Sequence, residues 1–176
     1  MMKYYELKLD DTNFIEAPDL MNWYGIQDVR LIKWETYHKL KNRLVYRINP
    51  ADNIIFTDII SFPFLLVSPM VRDVIKMYGD KVVFKEVILL STEKGFEELY
   101  YLPVMEETDQ INLLYVKTRQ NDIQQTQIPE WVGERNIFWV RKKGKRHTII
   151  NLDLAESLLR RNAVGLELKE VLLTQV

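Results

Sequence analysis

The side chains best suited to chemistry in this sequence are a group of acids around one strand and a run of bases in one hairpin. Glu93, Glu97, Glu98, Glu106, Glu107 and Asp109 flank the segment from Leu99 to Met105. Paired carboxylates work as general acid and base only when they converge in a cleft with separated pKa values, and this spacing does not demand such convergence. The same acids suit a solvated rim, or a docking surface for a basic partner. Arg141-Lys142-Lys143-Gly144-Lys145-Arg146-His147 is the opposite pole, a positive tip with Trp139 nearby. Such a run serves phosphate contact and base stacking, or it is a solvated hairpin whose basic residues project into water.

Other chemistry is sparse. His38 and His147 are the only histidines, and neither sits in an HExxH pairing that would place two ligands on one helix face. His38 reads as a polar surface residue and His147 as a strand residue beside the basic turn. No GxxxxGK[ST] or GxGxxG occurs, so no phosphate cradle of a recognised kind is written into the chain. The expectation is a protein with no catalytic set, no metal and no cofactor.

Composition bounds the rest. The 176 residues, 47% hydrophobic and 11% aromatic, suffice for the core of one domain or of two small lobes. With 24 basic and 25 acidic residues the net charge is -1, which argues against a surface built throughout to hold nucleic acid or an anionic membrane. The absence of cysteine removes disulfides and thiolate zinc sites and is compatible with a reducing compartment. The opening Met1-Met2-Lys3-Tyr4-Tyr5-Glu6-Leu7-Lys8 lacks a signal-peptide core, and no apolar run approaches the roughly 18 to 20 residues of a membrane span. A cytoplasmic protein without membrane attachment is expected.

The elements that position these residues follow one plan twice. Leu65 to Ser68 reads as a strand running into a cap, with Pro69 at the first helical position, Met70, Val71, Val74, Ile75 and Tyr78 on one face, and Gly79 ending the helix. A β-rich run from Val82 to Leu90 follows. The second copy passes from Thr148-Ile149-Ile150 through the cap Asn151, a helix presenting Leu154, Leu158 and Leu159, and Gly165, to a strand from Leu166 to Leu173. Further strands are expected at Tyr4 to Leu9, Val29 to Trp34, Leu44 to Ile48, Leu99 to Met105 and Ile111 to Lys117. Ile137 to Arg141 pairs with Lys145 to Ile150 across a tight turn whose glycine takes positive φ. Asp52 to Pro63 fits either a short strand or one helical turn, and Glu106 to Pro129 is polar, with Gln120, Gln124, Gln125 and Gln127. The fold class is α+β, with mixed or mostly antiparallel sheets and two similar strand-helix-strand units. They form one domain over residues 1 to 176, or two lobes at about 1 to 105 and 106 to 176.

Tyr4-Tyr5-Glu6-Leu7, Val67-Ser68-Pro69-Met70-Val71-Arg72-Asp73-Val74, Tyr100-Tyr101-Leu102-Pro103-Val104 and Asn162-Ala163-Val164-Gly165-Leu166-Glu167-Leu168 together carry a resemblance. The chain resembles the eleventh numbered family of bacterial polymorphic-toxin immunity proteins, formerly a domain of unknown function, from about Tyr4 to Leu173. Where many members have an acidic stretch followed by a serine, Glu106-Glu107-Thr108-Asp109 supplies the acidity without a matching serine. The resemblance implies a cytoplasmic protein that binds and neutralises a cognate toxin stoichiometrically, with no catalysis. Many toxins of such systems act on nucleic acid through basic surfaces, so Glu97, Glu98, Glu106, Glu107 and Asp109 form the expected toxin-binding face. The alternatives are an enzyme using the clustered carboxylates and a nucleic-acid-binding module using the 141 to 147 hairpin.

Overall fold

The computed structural model describes residues 2–116 and 130–176. The glutamines between Lys117 and Pro129 lie outside the described residues. Both strand-helix-strand units are present. In the first, β4 (Leu66–Val67) leads through the cap Ser68 into α1 (Pro69–Met77) and on to β5 (Val83–Ser91). In the second, β10 (Lys145–Asn151) leads into α3 (Leu152–Arg160) and β11 (Leu166–Gln175). The caps act as the residue types predict. Ser68 Oγ accepts from Val71 N at 3.3 Å, and Asn151 Oδ1 accepts from Leu154 N at 3.0 Å.

The units share more than element order. β4 and β5 both run antiparallel to β6 (Phe96–Val104), which lies between them; β10 and β11 likewise flank an antiparallel β1 (Tyr4–Leu9). Each unit is thus a split βαβ crossover, with its two strands parallel and a third strand inserted. The first sheet is completed by β2 (Arg43–Arg47), parallel to β5, and by β3 (Ile59–Ile60), antiparallel to β4. The fold is α+β with mixed sheets.

The second sheet is curled. Its outer members are β7 (Glu107–Thr108), parallel to β9 (Ile137–Lys142), and β8 (Ile111–Tyr115), antiparallel to β11. β7 and β8 occupy opposite edges, yet only Asp109 and Gln110 separate them. The sheet must therefore bend until its edges approach. Its inner face buries Tyr4, Ile111, Leu113, Phe138, Val140, Ile149, Val171 and Leu173, with Val132 of the short helix α2 (Glu130–Gly133) at one end. Tyr4 fixes that end by donating to the Val132 carbonyl at 3.2 Å.

A larger core lies on the other face and joins both sheets to both long helices. Val71, Val74 and Ile75 of α1 and Leu154, Ala155 and Leu158 of α3 are buried in it with Leu7, Tyr46, Leu66, Val87 and Leu102. Each large aliphatic side chain so buried contributes roughly 1.5 to 3 kcal/mol. Two aspartates tie the first unit to the second sheet. Asp58 accepts from Ser68 Oγ at 2.5 Å and from Val164 N at 2.6 Å, and Asp80 accepts from the backbone amides of Asn136 and Ile137, each at 2.8 Å.

One expected element is absent. Val29 to Trp34 is not a strand: Val29–Leu31 forms a single 3-10 turn, capped by Asp28, whose carboxylate accepts from Arg30 N at 2.9 Å. The aspartate offers this backbone a local hydrogen bond that a strand would forgo.

Candidate functional site

The acids around the central strand do not form one face. Glu93, Glu97 and Glu98 are exposed near the β5–β6 turn, while Glu106 and Glu107 follow the far end of β6. A nine-residue strand rises about 30 Å. Glu106 receives a hydrogen bond from Arg135, and Glu107 receives them from Arg141 Nε at 2.7 Å and from Arg146. Asp109 is exposed just beyond β7. Burial alone would raise the Glu107 carboxyl, but hydrogen bonds from Arg141 and Arg146 outweigh it and hold the group below the usual carboxylate range.

The basic hairpin also departs from expectation. Its turn is as predicted, with Lys143 at φ +48° and Gly144 at φ +76°, the pair of left-handed residues that a two-residue hairpin turn requires. Its arginines do not project from the tip. Arg146 lies with its guanidinium carbon 3.9 Å from the centre of the buried Trp139 ring and donates to the Ile32 carbonyl at 2.8 Å. Burial lowers its pKa, partly countered by Glu107. Strand alternation is the cause, because Arg146 shares its face with Thr148 and Ile150, the core side of β10.

The opposite face of the curled sheet carries a polar cluster. Glu6 and Lys8 follow Tyr4 on the inner side of β1, His147 precedes Ile149 on β10, and Tyr115 follows Leu113 on β8. Glu6 is buried. Its Oε1 lies 2.6 Å from His147 Nδ1, and its Oε2 accepts from the Tyr115 hydroxyl at 2.7 Å. Burial first, then the hydrogen bond and charge of Glu6, push the Tyr115 hydroxyl up to about 12. Glu167 sits between two lysines, 2.9 Å from Lys8 Nζ and 3.1 Å from Lys169 Nζ. Lys142 Nζ donates to the Leu113 carbonyl at 2.6 Å, tying β9 to β8 across the bend.

Glu6, Lys8, Tyr115, His147 and Lys169 open onto a cleft of about 1370 Å³ that runs from the mouth of the curl to the loops at Val29 to Lys33 and Ser61 to Leu65. Among the described residues lining it are seven lysines and arginines and two carboxylates, Glu6 and Glu170. Its rim is partly apolar. Phe62 is 66% exposed with its ring edge-on to Trp23 at 5.9 Å, and Tyr115 is 46% exposed, with Val29 and Val116 also open to solvent.

His38 stands apart in a 3-10 turn from Tyr37 to Lys39, its ring against Tyr37. Among the described residues no three or more histidine, aspartate or glutamate side chains gather in a way that could hold a metal ion. None of their helices is long and apolar enough to cross a membrane. Compared with protein-family models and with curated protein sequences, the chain matches none.

Sequence pattern alone neither brings Glu6, His147 and Tyr115 together nor singles out the exposed Phe62. A signal for the first existed, since Tyr4, Glu6 and Lys8 alternate along a strand and so share a face. The partners arrive from residues more than a hundred positions away.

Proposed function

We propose that the protein is a toxin-neutralising immunity protein that works in the cytoplasm by forming a stoichiometric complex with its cognate toxin. The observation that carries the reading is the cleft, whose rim sets exposed Phe62, Tyr115, Val29 and Val116 among arginine and lysine side chains. Aromatic residues and arginine dominate the energetic centres of protein interfaces, because they offer large contact area with few rotors to freeze. The sequence resemblance supplies the class of partner. In this reading no bond is made or broken, and the Glu6, His147 and Tyr115 cluster has a positioning role, holding Tyr115 of the outer strand β8 against β1.

The test is co-expression with the product of a toxin-like reading frame beside the gene. Growth should be rescued, and the two proteins should co-purify in fixed ratio. A toxin that still kills in the presence of folded, abundant protein contradicts the proposal.

A further inference from the structure

Resting on that reading, we infer that the cleft is the docking face and that its occupant is an acidic segment of the partner protein, with carboxylates interspersed among aromatic or aliphatic side chains. The charge count of the lining does not decide this by itself, because several cations already have counter-ions. Arg30 is paired with Asp28 at 2.8 Å, and Lys8 and Lys169 share Glu167. What matters is the surplus. Arg141 and Arg146 share the one carboxylate of Glu107, leaving a net positive charge on that wall. Lys33 and Lys145 line the same cleft, are exposed, and make no ion pair among the described residues. The two lysines around Glu167 add no surplus, because Glu6 on the same face of β1 offsets the second of them. An incoming carboxylate thus meets positive potential along the wall formed by Lys33, Arg141, Lys145 and Arg146, in a concave site where field lines are focused.

The apolar rim selects the rest of the occupant. Phe62 is held against Trp23, and Tyr115 is held by its hydroxyl on Glu6. Both rings present open faces already fixed in place, so little conformational entropy is lost when a partner side chain covers them. An acidic peptide segment bearing apolar side chains satisfies charge and rim together. A nucleic acid fits less well. It carries a phosphate at every step along its length, and the net charge of -1 gives no long-range attraction to such an extended polyanion beyond the cleft itself. The sign of the interface is therefore opposite to that expected from Glu97, Glu98, Glu106, Glu107 and Asp109.

Short fluorescein-labelled peptides test this by anisotropy against the purified full chain. One peptide alternates glutamate with phenylalanine, a second alternates lysine with phenylalanine, and a single-stranded oligonucleotide is the third probe. The glutamate peptide should bind, and binding should weaken with salt. Lys33→Glu combined with Lys145→Glu should reduce its affinity by about tenfold or more, and Phe62→Ala by a similar factor, whereas Glu97→Lys with Glu98→Lys should leave it unchanged or tighter. All five residues are solvent-exposed, so unaltered thermal unfolding checks that the variants are folded. Failure of the glutamate peptide to bind, tighter binding of the lysine peptide or of the oligonucleotide, or full affinity in the double-charge variant overturns the inference. Toxin protection separates the two levels. Protection that persists in the cleft variants removes this docking face and leaves the immunity reading standing, while a parent protein that neither protects nor forms a complex removes the reading itself.

Discussion

Arg146 spans the buried Trp139 ring, its guanidinium carbon 3.9 Å from the ring centre, so the most basic stretch of the chain is anchored inward at its strand end. The contact joins a cation-π interaction to hydrogen bonds with Glu107 and the Ile32 carbonyl. Arg146→Ala should cost about 2 kcal/mol in urea unfolding, from the lost ring contact and the stranded carbonyl. Arg146→Lys should recover only part of this, because an ammonium lacks the planar fork that serves both acceptors. An Arg146→Ala protein as stable as the parent would show that the packing is incidental.

The two caps give a paired prediction. Ser68→Ala and Asn151→Ala should each destabilise by about 0.5 to 2 kcal/mol. Asn151 should lie at the costly end, since it is buried and its amide also donates to Asn136 Oδ1 at 2.7 Å. Chemical denaturation of the single variants and of the double variant checks this.

Gly165 tests the junction between the units. It holds φ +82°, and a Cβ placed there would stand 2.6 Å from Thr57 Cγ2 and 2.7 Å from Thr57 Cβ. Gly165→Ala meets both an unfavourable backbone region and a steric clash, so a loss of about 2 to 3 kcal/mol is expected. Adding Thr57→Ser, which removes the Cγ2 methyl, should return part of that loss.

What the sequence disclosed and what it withheld have separate physical causes. Ser68-Pro69, Asn151 and the left-handed Gly79 and Gly165 are local signals, and the two helices follow from them. The hairpin turn at Lys143-Gly144 was equally local. The Val29 to Trp34 segment misled because its apolar and aromatic residues resemble a strand by composition, while one Asp28 hydrogen bond settles a turn. The curl of the second sheet was not legible, since it depends on β7 and β8 joining opposite edges. With that closure hidden, neither the carboxylate partners of the hairpin arginines nor the meeting of Glu6, His147 and Tyr115 was visible.

Alkaline titration probes the buried face. Tyr115 and Tyr46 are both pushed up to about 12, chiefly by burial. A tyrosine whose folded pKa exceeds its unfolded value near 10 contributes stability that is complete below pH 10 and is lost as pH rises from about 10 through about 12. Ultraviolet titration of tyrosinate should show groups ionising late, and Tyr115→Phe should remove one of them. Simultaneous ionisation of all tyrosines near pH 10 in folded protein would contradict the Glu6 contact.

The most direct measurement is calorimetric titration of the purified protein with an inactivated form of the product of a toxin-like reading frame beside its gene, should one be present. One-to-one binding is expected, weakened by salt and reduced about tenfold or more by Lys33→Glu with Lys145→Glu, while Glu97→Lys with Glu98→Lys leaves it intact. No measurable heat of binding between the two folded proteins, with no complex on size-exclusion chromatography, would contradict it.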